Sequence, residues 1–220
     1  MKSQTYAATV TGLITELVAS QQPAIDRAAE AVADALARGG RIWLAKTTHC
    51  LHLEAHHRAG GYLAVHMLDD TAVVDARDCV IMGSPVGAHE TTVQAALDVK
   101  LRGATLVALT NVAFEDHPDT DRSHGSGRVL HQVADIVVDC GGPVGDGVFD
   151  DPDLGFAVIP HSGVVGMTAM WMILADAMDR LRARNLLPLM YQCVAVRGAR
   201  VRNDAAWTRY VESGRGVVAR

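Results

Sequence analysis

Apolar and polar positions divide the chain into a helical opening, an alternating middle and a mixed tail. Over residues 4–38, Ala7, Val10, Leu13, Ile14, Leu17 and Val18 recur at helical spacing. Gln21-Gln22-Pro23 interrupts the pattern, and Pro23 suits the first turn of a second helix over residues 24–38. That helix carries Ile25, Ala28, Ala29, Val32 and Leu36 on one face, and Gly39-Gly40 stops it. From residue 41 the period shortens. Apolar runs at 41–45, 63–67, 79–82, 105–110 and 136–139 predict strands. Helical segments over 51–58, 89–102 and 127–133 lie between most of them. Runs as apolar as Leu106-Val107-Ala108-Leu109 suit parallel strands buried on both faces. The expected fold class is α/β: a doubly wound sheet with sites at the carboxyl ends of its strands, preceded by N-terminal helices.

Two polar stretches interrupt this core. Residues 111–127 and 140–160 are predicted as long loops, the second rich in Gly, Pro and Asp, and long ordered loops often carry function. A helix apolar on most sides starts near Ser162 or Gly163 and runs to about Arg184. Residues 185–220 give a weak signal. The organisation expected is one domain over 1–220, made of a helical segment (1–38), an α/β core (39–184) and a C-terminal extension (185–220).

Composition narrows the functional classes. Hydrophobic residues make up 49% of the 220, enough for a sizeable core and too many for disorder. A net charge of −5 with no basic block argues against nucleic acid as partner. Cys50, Cys79, Cys140 and Cys193 form no CxxC, so reduced thiols are expected rather than disulfides or a zinc knuckle. No signal peptide or span of membrane length is predicted, and a cytoplasmic location is expected.

The stretch from Cys79 to Gly103 carries the first chemistry. A buried strand turns through Gly83-Ser84-Pro85-Val86-Gly87 into a helix, which presents free N–H groups and a helix dipole to an anion. The histidines between Cys50 and His57 invite a metal reading, with His52 and His56 four apart. The HExxH pattern is absent, however, and neither a metal nor a cofactor is expected.

Several segments together resemble the sugar isomerase (SIS) domain family, in its phosphosugar and phosphoheptose isomerase-like subgroup. They are Arg41-Ile42-Trp43-Leu44, Thr48-His49, Arg58-Ala59-Gly60-Gly61, the run from Ser123 to Gly147, and His161-Ser162-Gly163-Val164-Val165-Gly166. The resemblance implies a three-layer α-β-α sandwich with a five-stranded parallel sheet, and a homodimer or higher oligomer with a sugar-phosphate site near a subunit interface. It implies ligand contacts from Thr47, Thr48, His49, Ser84, Gly87, Thr110, Asn111 and Ser126. It implies Glu54 as the base for aldose–ketose isomerisation, His161 as the ring-opening group, and a site role for His124. Two loops depart from the family pattern. Ala45-Lys46-Thr47-Thr48-His49 has no glycine, and Pro85 removes an N–H donor from the loop that follows Ser84. Those departures leave an alternative open: a non-catalytic sugar sensor, or a degenerate subunit paired with an active paralogue.

Overall fold

A computed structural model describes residues 1–47, 50–69 and 73–220. Five strands form a single parallel sheet: β1 (Ile42–Ala45), β2 (Val65–Leu68), β3 (Cys79–Gly83), β4 (Thr105–Thr110) and β5 (Ile136–Asp139), in spatial order β2-β1-β3-β4-β5. Register is fixed by pairs such as Ile42 with Cys79, Cys79 with Thr105, and Val107 with Ile136. The chain therefore reverses its direction of growth between β1 and β3, which is where open α/β sheets leave a crevice at the carboxyl ends of their strands.

Alternate side chains of each strand enter opposite cores. Ile42, Leu44, Cys79, Ile81, Val107 and Leu109 face one layer, made mainly by α1 (Lys2–Ala37) and α5 (Ser162–Ala183). Trp43, Ala45, Val80, Met82, Leu106 and Ala108 face α3 (Glu90–Leu101) and the 3₁₀ turn Leu130–Gln132. Burial on both faces is why these strands are unbroken apolar runs. The expected three-layer α/β sandwich is the fold observed.

The opening differs from expectation. Instead of two helices, one helix of 36 residues runs through Pro23. Proline removes one backbone N–H and crowds the carbonyl four residues earlier. The buried stripe nevertheless continues across it, from Val10 and Leu17 to Ala24, Ile25, Ala28 and Ala29. Packing of that stripe on the sheet and on α5 holds the helix together. At the flank, Arg180 of α5 pairs with Asp26 (2.9 Å) and Glu30 (3.2 Å), and Arg184 pairs with Asp34 (2.8 Å) and Glu30 of α1. One face of α5 is buried through Val165, Met170, Ile173 and Leu174, while Val164 is exposed.

Other differences are local. The first crossover helix, α2, covers only Leu51–Ala55. The loop expected over 111–127 opens with a helical turn, α4 (Val112–Glu115). The loop expected over 140–160 contains an antiparallel hairpin, β6 (Gly147–Asp151) and β7 (Phe156–Pro160). Its turn is closed by Asp151, whose Oδ1 accepts the N–H groups of Asp153 and Leu154, both at 3.1 Å. The weakly marked tail forms β8 (Leu186–Pro188), α6 (Ala199–Ser213) and β9 (Val217–Ala219), with β8 and β9 paired. Among the described residues no helix is long and apolar enough to cross a membrane.

Candidate functional site

A cleft of about 510 Å³ opens where β1 and β2 end, a size suited to a small ligand. Its floor is Ala45, the last residue of β1, with Lys46 and Thr47 just past it, and Leu68 and Asp69 at the end of β2. Its wall is the flank of α3, which contributes Thr91, Thr92, Asp98 and Arg102, with His89 at the helix entrance. Thr47 Oγ1 donates to the Gly83 carbonyl at 2.5 Å and so ties the end of β1 to that of β3. Lys46 Nζ lies 3.6 Å from Asp69 Oδ2, both side chains partly exposed. At the start of α3 the Glu90 N–H donates to Ser123 Oγ at 2.9 Å, and His89 provides no side-chain cap. The rim of the cleft thus combines a lysine, a helix N-terminus, hydroxyls and carboxylates.

Next to it lies a buried polar knot. Ser84 is fully buried, and its Oγ accepts the Gly87 N–H at 3.0 Å. The Gly87 carbonyl accepts from the Leu130 N–H at 2.9 Å. Gly87 has φ +49, and a Cβ there would overlap the Glu115 carboxylate and Leu130. Glu115 is completely buried. Thr110 Oγ1 donates to its Oε1; its Oε2 accepts the His131 N–H at 2.9 Å and lies 2.5 Å from His131 Nδ1. Burial pushes the Glu115 carboxyl above its usual range, against the pull of those hydrogen bonds. His131 Nε2 is 3.6 Å from Asp116 Oδ2, and Arg122 donates to the Glu115 carbonyl at 3.1 Å.

This knot changes the expected anion site. Over Gly87 the chain places its own carboxylate, Glu115, where a ligand phosphate was expected. Ser84 and Thr110 spend their hydroxyls inside the protein. Asn111 is also engaged: its Oδ1 accepts the Phe114 N–H at 3.0 Å and caps α4, while its Nδ2 donates to the Gly142 carbonyl at 2.9 Å. Of the expected ligand contacts, Thr47 alone lines the cleft, and Thr48 and His49 lie outside the described residues.

The three expected catalytic groups stand apart, with no hydrogen bond or ion pair joining them among the described residues. Glu54 sits half-buried on α2 and pairs with Arg58 at 3.5 Å. His124 is held in a surface turn, Nδ1 2.7 Å from Ser126 Oγ and Nε2 3.3 Å from Gln94 Oε1. His161, 1% exposed, is a latch. Its Nδ1 lies 2.8 Å from the Asp146 carbonyl and its Nε2 3.4 Å from the Gly141 carbonyl. Gly142 packs so closely on the ring that a Cβ there would overlap it. Asp146 in turn caps α5, accepting from Ser162 N–H (3.0 Å) and Ser162 Oγ (2.7 Å). His56 closes α2, its N–H bonded to the His52 carbonyl at 3.1 Å, and its ring stacks on His57 with centroids 3.9 Å apart. Among the described residues no three metal-ligating side chains converge.

Sequence reasoning missed Glu115, His131, Asp69, His89 and Thr91. The polar stretch from 111 to 127 was marked as functional by length, but nothing in it singled out the acid that becomes buried.

No protein-family model matches the chain. It is 33% identical over 128 residues to a UPF0309 protein of Caldanaerobacter subterraneus, a match that takes in 57% of this chain and about half (51%) of that protein. A UPF0309 protein of Streptomyces griseus is 26% identical over 230 residues, covering 90% of this chain and 91% of its own. Among solved structures, phosphoheptose isomerase GmhA from Neisseria gonorrhoeae superposes with a TM-score of 0.57 at 15% identity, over 83% of this chain and 97% of that one. Vibrio vulnificus NanR, complexed with ManNAc-6P, gives 0.52 at 14%, over 97% and 70%. The sugar isomerase domain of the RpiR transcription factor from Sphaerobacter thermophilus gives 0.53 at 15%, over 96% and 98%. The chain has the fold these sugar isomerase domains share, a fold used by enzymes and by regulators alike.

Proposed function

We propose that this chain binds a phosphorylated sugar in the cleft at the ends of β1 and β2, with the phosphoryl group toward Lys46 and the start of α3. The carrying observation is the cleft's chemistry. A cation and a helix N-terminus suit an anion, while Thr47, Thr91, Asp69 and Asp98 suit a polyol. Its position at the carboxyl ends of parallel strands is where this sheet topology leaves room for ligands. NanR, of the same fold, is complexed with a sugar phosphate, ManNAc-6P, which supports the ligand class. Assembly into a homodimer or higher oligomer belongs to the same reading. Val144, Phe156, Ile159 and Val164 are exposed apolar side chains on and around the hairpin, and light scattering behind size exclusion tests whether they are covered by a second copy.

Calorimetric titration with a panel of aldose and ketose phosphates tests the binding. Saturable binding to one of them is expected, weakened about tenfold or more in Lys46→Ala, as for a lost charge-assisted contact. Equal affinity in that variant removes the cleft from the proposal.

A second reading, aldose–ketose isomerisation, is kept by one observation. Glu54 meets only Arg58 among the described residues and is not locked into the interior, so it is available as a base. His161 is not available for ring opening in the same way, which is why binding is the better-supported activity. Exchange of the C2 proton of a bound sugar phosphate into deuterated water separates the two. An isomerase shows exchange that falls about 10²–10⁴-fold in Glu54→Gln; a sensor shows none.

A further inference from the structure

We propose a second anion site at the opposite, amino-terminal edge of the sheet, where four arginines wall a cavity that takes the phosphoryl end of a small phosphorylated molecule. The cavity measures about 390 Å³. Arg38 comes from the end of α1, Arg41 from the entry to β1, Arg77 from the turn before β3, and Arg215 from the link between α6 and β9. Three stretches distant in sequence thus bring four arginines to one opening.

The charge there is not balanced by the protein. Arg77 is held by Asp75, with Nη2 at 2.7 Å and Nε at 3.1 Å. Asp78, the carboxylate lining the cavity, is buried and already accepts from the Arg41 N–H (2.8 Å), Trp43 Nε1 (2.8 Å) and the Asp75 N–H (3.0 Å). Arg38, Arg41 and Arg215 make no salt bridge among the described residues. Arg215 donates to the Ala37 carbonyl at 2.9 Å, and the Arg41 guanidinium lies 5.8 Å from the Trp43 ring centre. Arg180 and Arg184, by contrast, each have carboxylate partners on α1. Four arginines beside the Asp75 and Asp78 carboxylates leave an excess of positive charge, which an anion from solution offsets.

Guanidinium geometry selects the ligand class. Its planar fork matches two oxygens of a phosphoryl group, and several forks match a dianion better than a single carboxylate. Gly39 and Gly214 leave the wall open beside them. The volume exceeds what one phosphate fills, so a phosphate monoester or diphosphate fits with its remainder toward solvent. Such a ligand would bridge α1, the sheet edge and the α6–β9 link. It would not compete with a ligand in the cleft at the other end of the strands.

Titration calorimetry of the full chain with pyrophosphate, at low and at physiological salt, tests this independently of the cleft. A saturable site is expected, weakening with salt, about tenfold or more weaker in Arg38→Gln and in Arg215→Gln, and still present, with the same sensitivity to both arginines, in a Lys46→Ala background that weakens the cleft. Both arginines are exposed, so intact folding of the variants is checked by their melting. Hydrogen exchange should slow at residues 213–217 when pyrophosphate is added. Absence of saturable binding overturns the proposal. So does equal affinity in Arg38→Gln, or loss in Lys46→Ala instead, which would put the probe in the cleft.

Discussion

The Glu115 carboxylate occupies the space that a side chain at Gly87 would need, with Gly87 itself at φ +49. Gly87→Ala therefore meets two costs, a left-handed backbone and a collision with a fully buried group. We expect a loss of roughly 2 kcal/mol or more in urea unfolding. Combining it with Glu115→Ala should cost less than the sum of the two single changes, because the collision with the carboxylate disappears and only that with Leu130 remains. Strict additivity would show that the two positions do not meet.

His66 makes stability depend on acid. It lies on β2 with Nε2 2.5 Å from the Tyr210 hydroxyl of α6. Burial first, and then the Arg41, His56 and His57 charges, lower its pKa from 6.5 to about 4, with Asp78 opposing. Below pH 6.5 the unfolded chain takes up a proton that the folded chain refuses until about pH 4. Stability is expected to fall as pH drops through that window, by on the order of 1–2 kcal/mol for a ring still partly screened by solvent. Urea midpoints of wild type and His66→Phe between neutral and acidic pH check it. The variant should lose less on acidification, and parallel curves would rule His66 out as the source.

His161 is expected to matter for structure before chemistry. His161→Ala removes a buried ring whose nitrogens face the Asp146 and Gly141 carbonyls, at an expected cost of about 2–4 kcal/mol. Amide exchange should speed up over residues 141–147 more than over the sheet. Unchanged exchange there would mean that the ring does not hold this segment.

Pro23 offers a gain. It sits inside α1, where proline costs an alanine-like helix about 3 kcal/mol when nothing else adapts. Local adaptation has absorbed part of that, so Pro23→Ala should raise stability by about 1–3 kcal/mol, measured by thermal or urea unfolding. A destabilised variant would indicate that the packing around residue 23 depends on the proline ring.

How far the sequence reveals the fold depends on burial. β1, β3, β4 and β5 are legible because both faces are covered, which leaves unbroken runs such as Leu106 to Leu109. Gln21-Gln22-Pro23 misleads because local breakers are weaker than a continuous buried stripe. The hairpin is hidden by its Gly, Pro and Asp, and by strand residues such as Phe156 and Ile159 that remain exposed. β8 and β9 are three residues each and pair across the length of α6, too short and too far apart for a local pattern. Thr47, expected as a ligand contact, lines the cleft because it directly follows the end of β1. Glu115 is not legible, since its burial arises only when Thr110 and His131 fold around it.

The pairing of β8 with β9 has a consequence for the order of assembly. Leu189 N–H binds the Gly216 carbonyl at 2.8 Å, Gly216 packs against Ala64 and Leu36, and Tyr210 and Val217 belong to the same core as β1. On the ribosome, residues 199–219 emerge after all five strands of the sheet. Until then the β2 flank and His66 stand bare to solvent and to other nascent chains. Synthesis of residues 199–219, rather than formation of the sheet, therefore sets when the flank of β2 is covered.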